Sequence, residues 1–169
     1  TLFRSDTHIM ILGAGGAAKS IVTQAVLDGA KKVSIYVRPQ SLVKAKENFR
    51  TLLDQTDCYL EFHDLTDADH FQKELRQTDL LVNATSVGMD GESLPISIDT
   101  RFPKELLVAD IIYQPFETPF LALARKQEIE AVNGLGMLLY QAAGAFKLWT
   151  GENMPTGAIW QELENIYNS

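Results

Sequence analysis

The chain has 169 residues, 46% of them hydrophobic and 22% charged, enough to bury one good core and best counted as one domain. With 15 basic against 22 acidic residues the net charge is -7, which disfavours nonspecific binding to nucleic acid or to an anionic membrane. Cys58 is the single cysteine, which excludes an internal disulfide and a cysteine-based zinc site; Thr1–Thr7 hold no signal-peptide core and no apolar run reaches membrane-spanning length, so a cytoplasmic protein is expected.

In chain order, His8 to Leu12 reads as a first strand, β1. It meets the glycine-rich turn Gly13-Ala14-Gly15-Gly16-Ala17-Ala18, which opens into a helix from Ala17 to about Leu27. Gly13 permits a tight turn, Gly15 lets the backbone approach a pyrophosphate, and Ala18 lets helix and strand pack closely, as in a dinucleotide-binding turn. The phosphates would be held by free N–H groups and the positive end of the helix dipole, not by side chains. Gly29 supplies a left-handed stop. Lys32 to Val37 is β2, with Val33, Ile35 and Val37 alternating with Lys32, Ser34 and Tyr36, and Ser41 is the expected cap of a helix running to about Leu53. Cys58 to Phe62 is β3, its cysteine a packing residue, followed by a helix from Ala68 to Gln77. Asp79 to Asn83 is β4, whose unbroken apolar run fits a parallel strand covered on both faces. Ser86 to Pro103 predicts loops or short turns. Leu106 to Asp110 is β5, Pro119 to Lys126 a helix capped by Thr118, and Glu130 to Val132 a short β6. Gly136 to Trp149 is an apolar helix stopped by Gly151, and a last helix runs from about Thr156 to Tyr167.

This alternation implies an α/β, doubly wound Rossmann fold: a six-stranded, mainly parallel sheet of order 3-2-1-4-5-6 with helices on both faces. Residues 1–169 then form one nucleotide-binding domain, with 153–169 a terminal helical segment. The ligand should lie beyond the carboxyl ends of the strands, where β1 and β4 diverge. At the end of β2 stands Val37-Arg38-Pro39-Gln40-Ser41, with no acid to bind ribose hydroxyls. Arg38, with Ser41 or Lys44, could instead pair with a 2′-phosphate, which argues for NADP over NAD. After β4, Asn83, Thr85 and Ser86 are candidate ligand contacts and Gly88 leaves room for a flat ring; the alternative is that Asn83 and Thr85 only satisfy backbone groups in a turn. After β5, the Tyr113 phenol could bond a hydroxylated substrate or be an ordinary rim residue, while the Asp110 carboxylate suits nearby backbone N–H groups better than general-base work. After β6, Gly134 and Gly136 open a helix carrying Gln141, an amide that either satisfies a neighbour in the core or points into the cleft. His8, His63 and His70 share no metal-ligand spacing and read as surface or strand-end residues, so no metal is expected.

Gly13 to Ala17, Asn83 to Met89, Asp110 to Pro115 with Thr118 to Leu121, and Gly134 to Ala143 followed by Ala145 to Gly151 together resemble the C-terminal half of the shikimate dehydrogenase family. The resemblance covers four blocks in order across nearly the whole chain. It implies an NADP-binding Rossmann domain of an enzyme that reversibly reduces 3-dehydroshikimate to shikimate in aromatic amino acid biosynthesis. On that likeness Gly13, Ala14, Gly15, Gly16 and Ala17 bind pyrophosphate and the segment from Val37 holds the adenosine phosphate. Ile111 and Gly134 contact the nicotinamide end, and Tyr113 and Gln141 face the substrate. The family's Asn-Arg-Thr after β2 is Val37-Arg38-Pro39 here, which keeps the arginine, loses two polar contacts and leaves NAD, and quinate as substrate, as alternatives. The family's catalytic lysine and aspartate belong to an N-terminal domain absent from these residues. The resemblance therefore implies no catalytic residue in this chain, no activity without that domain, a substrate shared with it, and apolar faces left bare on the last two helices. A non-catalytic NAD(P)-sensing regulatory module is the alternative from another class, against which the retained Tyr113 and Gln141 speak.

Overall fold

Six strands form one parallel sheet: β1 (His8–Leu12), β2 (Lys32–Val37), β3 (Tyr59–Asp64), β4 (Leu80–Asn83), β5 (Leu107–Asp110) and β6 (Ala131–Val132), in the order β3-β2-β1-β4-β5-β6. The computed structural model describes residues 7–168, so the stretch screened for a leader lies outside the described residues apart from Thr7. Ile11 of the central strand pairs with Ile35 on one side and Val82 on the other. All five β1 residues are buried, and their two-residue period sends Met10 and Leu12 into one core layer and Ile9 and Ile11 into the other. This is the order expected from the sequence.

The helices are α1 (Gly16–Leu27), α2 (Leu42–Asn48), α3 (Arg50–Leu53), α4 (Ala68–Leu75), α5 (Pro119–Lys126), α6 (Leu135–Thr150) and α7 (Thr156–Asn168). Gly29 and Gly151 take the left-handed stops expected of them, at φ +90° and +78°. Thr118 caps α5 by accepting the Leu121 N–H at 3.3 Å. The single helix from Ser41 to Leu53 is corrected. Pro39–Ser41 form a short 3-10 turn, Ser41 makes no side-chain capping bond, and the chain breaks at Phe49, where φ is -101° and ψ 3°. The break accompanies full burial of the Phe49 ring, 5.7 Å from that of Phe62. Here packing outweighs helical propensity. β3 starts one residue late and runs on to Asp64 because each of its residues pairs with one of Lys32–Val37; Cys58 lies just before it, half-buried against the apolar layer. The Ala68 helix ends at Leu75 rather than Gln77.

β2 is not a strand with one wet face. Ser34 and Tyr36 are as fully buried as Val33 and Ile35, because α4 covers them.

Candidate functional site

The carboxyl ends of β1, β2 and β4 open onto a cleft of about 790 Å³. Its floor is the glycine corner. Gly13 has φ +99° and donates its N–H to the Tyr36 carbonyl at 2.8 Å, and a Cβ there would lie 2.8 Å from Thr85 Cγ2. The corner must therefore be glycine both for its conformation and for its contact with the β4 turn. Gly15 and Gly16 differ: an added Cβ would meet nothing within 4 Å at either, so the space above them is free for a ligand. Gly15 is the N-cap of α1, no side chain bonds the helix start, and its first turn holds no acid. The first intrahelical bond runs from Lys19 N to Gly15 O, which leaves the preceding N–H groups free to take an anion. The chemistry of this cradle fits a diphosphate.

Beside the cradle, Val37, Arg38, Ser41 and Lys44 form the second wall. Arg38 is exposed and makes no ion pair or side-chain hydrogen bond among the described residues. The lining residues include two cations, Arg38 and Lys44, and no carboxylate, so the cleft is locally positive in a chain of net charge -7. Asn48 was missed by sequence reasoning. It reaches from the end of α2 to donate its amide to the Ala14 carbonyl at 3.2 Å and so steadies the corner. No local pattern marks it, since 34 residues separate the two groups.

Thr85 and Ser86 line the opposite wall, but Asn83 does not. Asn83 is fully buried: its amide donates to the Val87 carbonyl and to Asp110 Oδ1, each at 3.1 Å, and its oxygen accepts the Thr85 hydroxyl at 2.7 Å. It sets the turn from behind, the alternative that its residue type allowed. Gly88 leaves no room for a flat ring. It is a buried turn glycine at φ +109°, facing Ile112 and Thr118 of the same chain.

Past β4 the strand ladder continues into the remaining turns. Ile111 N donates to the Asn83 carbonyl at 3.1 Å, and Gly134 N to the Ile112 carbonyl at 2.9 Å. Gly134 has no space for a side chain, since a Cβ would lie 1.9 Å from the Ile111 carbonyl oxygen. Asp110 is buried and accepts from Ile112 N at 3.0 Å, from Asn83 and from the Thr118 hydroxyl at 2.7 Å. Burial pushes its carboxyl up from the ordinary value against the opposing effect of these donors. It bonds backbone and side-chain donors as expected and has no face free for base chemistry. Gln141 lies exposed on α6, not inside the core, and Tyr113 is 43% exposed after β5. Neither walls the cleft over the glycine corner, nor do Ile111, Gly134, Gly16 and Ala17; Gly16 and Ala17 begin α1 at its edge.

The three histidines lie at strand ends and on the surface, as the sequence led us to expect, with His8 opening β1, His63 near the end of β3 and His70 exposed on α4, but the fold brings them together. His8, His63 and His70 converge on Glu74 of α4, at 3.3, 3.6 and 3.9 Å from its carboxylate. Burial alone would push the Glu74 carboxyl up, but donors from His8, Lys32, Ser34 and Tyr36 outweigh it and hold the group well below the usual carboxylate range.

A family model described as the Shikimate 5'-dehydrogenase C-terminal domain matches residues 134–164. A shikimate dehydrogenase (NADP(+)) of Streptococcus pneumoniae is 53% identical over 163 residues, which are 96% of this chain and 57% of that protein. The shikimate 5-dehydrogenase of Listeria monocytogenes, solved with shikimate and NAD, superposes with a TM-score of 0.84 at 38% identity, over 93% of this chain and 55% of that one. That of Thermus thermophilus, solved with NADP(H) and shikimate, gives 0.71 at 31% identity, over 91% and 53%. The chain thus spans little more than half the length of the relatives it matches.

Proposed function

The chain belongs to the shikimate dehydrogenase family, whose C-terminal part it matches, and from that premise we propose that it is the cofactor-binding domain of an NADP-dependent enzyme. The reaction is the reversible reduction of 3-dehydroshikimate to shikimate, in the cytoplasm. The observation that carries this reading is the open cradle of Gly15 and Gly16 at the free start of α1, flanked by unpaired Arg38. Backbone N–H groups of Gly15, Gly16 and Ala17 bind the diphosphate, with Gly13 and Ala14 shaping the turn. Arg38 takes the 2′-phosphate as a bidentate partner, with Ser41 beside it and the Val37 backbone setting the wall. Thr85 and Ser86 guide the cofactor from the cleft toward Ile111 and Gly134, and Asn83 holds that turn in shape. When bound, the nicotinamide supplies the hydride. Tyr113 and Gln141 bond the substrate hydroxyls on the exposed rim, and the catalytic lysine and aspartate come from the N-terminal domain that the family resemblance implies. Reaction needs reacting atoms held near contact distance and a positioned proton donor, and this chain provides the first in part.

Titration of the chain with NADPH and NADH, read by cofactor fluorescence, tests the reading. NADPH should bind more tightly than NADH. A hydrogen bond to a charged group contributes about 1.5–3 kcal/mol, so Arg38→Ala should weaken NADPH by roughly 10-fold or more while leaving NADH nearly unchanged. Failure to bind either nucleotide would overturn the proposal, and equal loss for both would remove Arg38 from the 2′-phosphate. The NAD reading rests on the NAD complex of the Listeria relative; tighter binding of NADH would favour it.

A further inference from the structure

We propose that His63, His70 and Glu74 form a binding site for a divalent transition-metal ion of the zinc class, set between β3 and α4. Their donor atoms, two imidazole nitrogens and one carboxylate oxygen, lie within 4.8 Å of one another. Tetrahedral zinc with ligand bonds near 2.0–2.1 Å puts its ligands on the order of 3.3 Å apart. His63 Nε2 is 3.6 Å and His70 Nδ1 3.9 Å from Glu74 Oε2, so small side-chain rotations bring the three atoms to that spacing. Two nitrogens and one oxygen are a donor set that suits zinc, and three protein ligands leave a fourth position for water.

Two further observations point to an ion. His63 Nε2 is buried and has no hydrogen-bond partner. Buried polar side-chain atoms are nearly always satisfied, and a metal would satisfy this one. Glu74 is also a ligand already held in place. Its Oε1 accepts from Ser34 and from Lys32 at 2.7 Å, with His8 at 3.3 Å, while Oε2 faces the two histidines and accepts the Tyr36 hydroxyl. Such outer partners orient first-shell ligands in metal sites. Lys32 also bonds Glu61, whose Oε2 is 3.6 Å from His63 Nε2. On metal binding, the Tyr36 hydroxyl gives up its 3.0 Å contact with His70 Nδ1, and His70, 44% exposed, is the entry path.

The test is titration of the chelator-treated chain with Co2+, read by the visible absorption of tetrahedral cobalt and by competition with Zn2+. A one-to-one site is expected, with a rise of several degrees in the thermal midpoint at saturating Zn2+. His70→Ala changes an exposed residue and should fold. It should weaken Co2+ by more than about 100-fold, beyond the 10–100-fold typical of outer-shell partners, and His63→Ala should do the same. Absence of a cobalt signal in the unaltered chain overturns the proposal, as does undiminished binding by folded His70→Ala. Nucleotide titration reads a different property, so this outcome is independent of the proposed function.

Discussion

At Gly134 a Cβ would sit 1.9 Å from the Ile111 carbonyl oxygen, whereas at Gly15 it would meet nothing within 4 Å. The first glycine is small because the protein's own backbone fills the space; the second faces open space, which the proposed diphosphate would take. Gly134→Ala should force the β6–α6 corner apart and cost upwards of ~3 kcal/mol, at or beyond the upper end of overpacking penalties. Gly15 sits at φ -79°, which any residue adopts. Gly15→Ala should therefore leave stability within ~0.5 kcal/mol of the original, yet weaken NADPH at least ~10-fold by closing the backbone off from the phosphates. Urea melts and nucleotide titration of both variants separate the cases. A stable Gly134→Ala, or a Gly15→Ala with undiminished binding, contradicts the assignment. The sequence marked both positions as glycine at a strand-to-helix turn. Only the approach of Ile111, 23 positions earlier in the chain, distinguishes their reasons.

Asp110 is the point where three elements meet: its carboxylate ties the end of β5 to Asn83 of β4 and to Thr118 at the start of α5. Burial raises its carboxyl against the effect of those donors. A native value above the unfolded one, about 3.9, means that the folded state holds the proton more tightly. The contribution of this group thus favours folding most below that value and declines as pH rises through the raised native value. Asp110→Asn removes the titration. The stability of the unaltered chain relative to the variant, from urea melts between about pH 3 and 7, should fall as pH rises. A flat or oppositely sloped difference contradicts this. α2 and α3 teach the complementary lesson. A continuous helix to Leu53 satisfies the pattern, but burial of Phe49 against Phe62 ends it early.

Across the whole molecule, apolar surface is distributed unevenly. The central strand β1 is buried throughout and α5 buries Phe120, Leu121, Leu123 and Ala124, while Leu148 and Trp149 on α6 are 86% and 83% exposed and Ile166 on α7 is 64% exposed. Such exposed apolar side chains should bind a hydrophobic fluorescent dye, an outcome the family resemblance led us to expect of the last two helices. The paired substitution Leu148→Ser and Trp149→Ser should reduce dye binding and shift stability by no more than ~0.5 kcal/mol per site, because both side chains are solvated. An unchanged dye signal would place the exposed surface elsewhere. The sequence by itself determined the strand and helix alternation, the sheet order that follows from right-handed crossovers, and the glycine corner. Each of these is written in hydrophobic period and turn residues within about 30 positions of one another. Only the tertiary structure decided that Asn48 braces that corner, that Asn83 serves from behind it, that Gln141 lies outside the core, and that three histidines share Glu74. Period says which face of an element is buried. Which side chains meet there depends on register across the sheet and on how each helix sits over it, which residues tens of positions apart settle together.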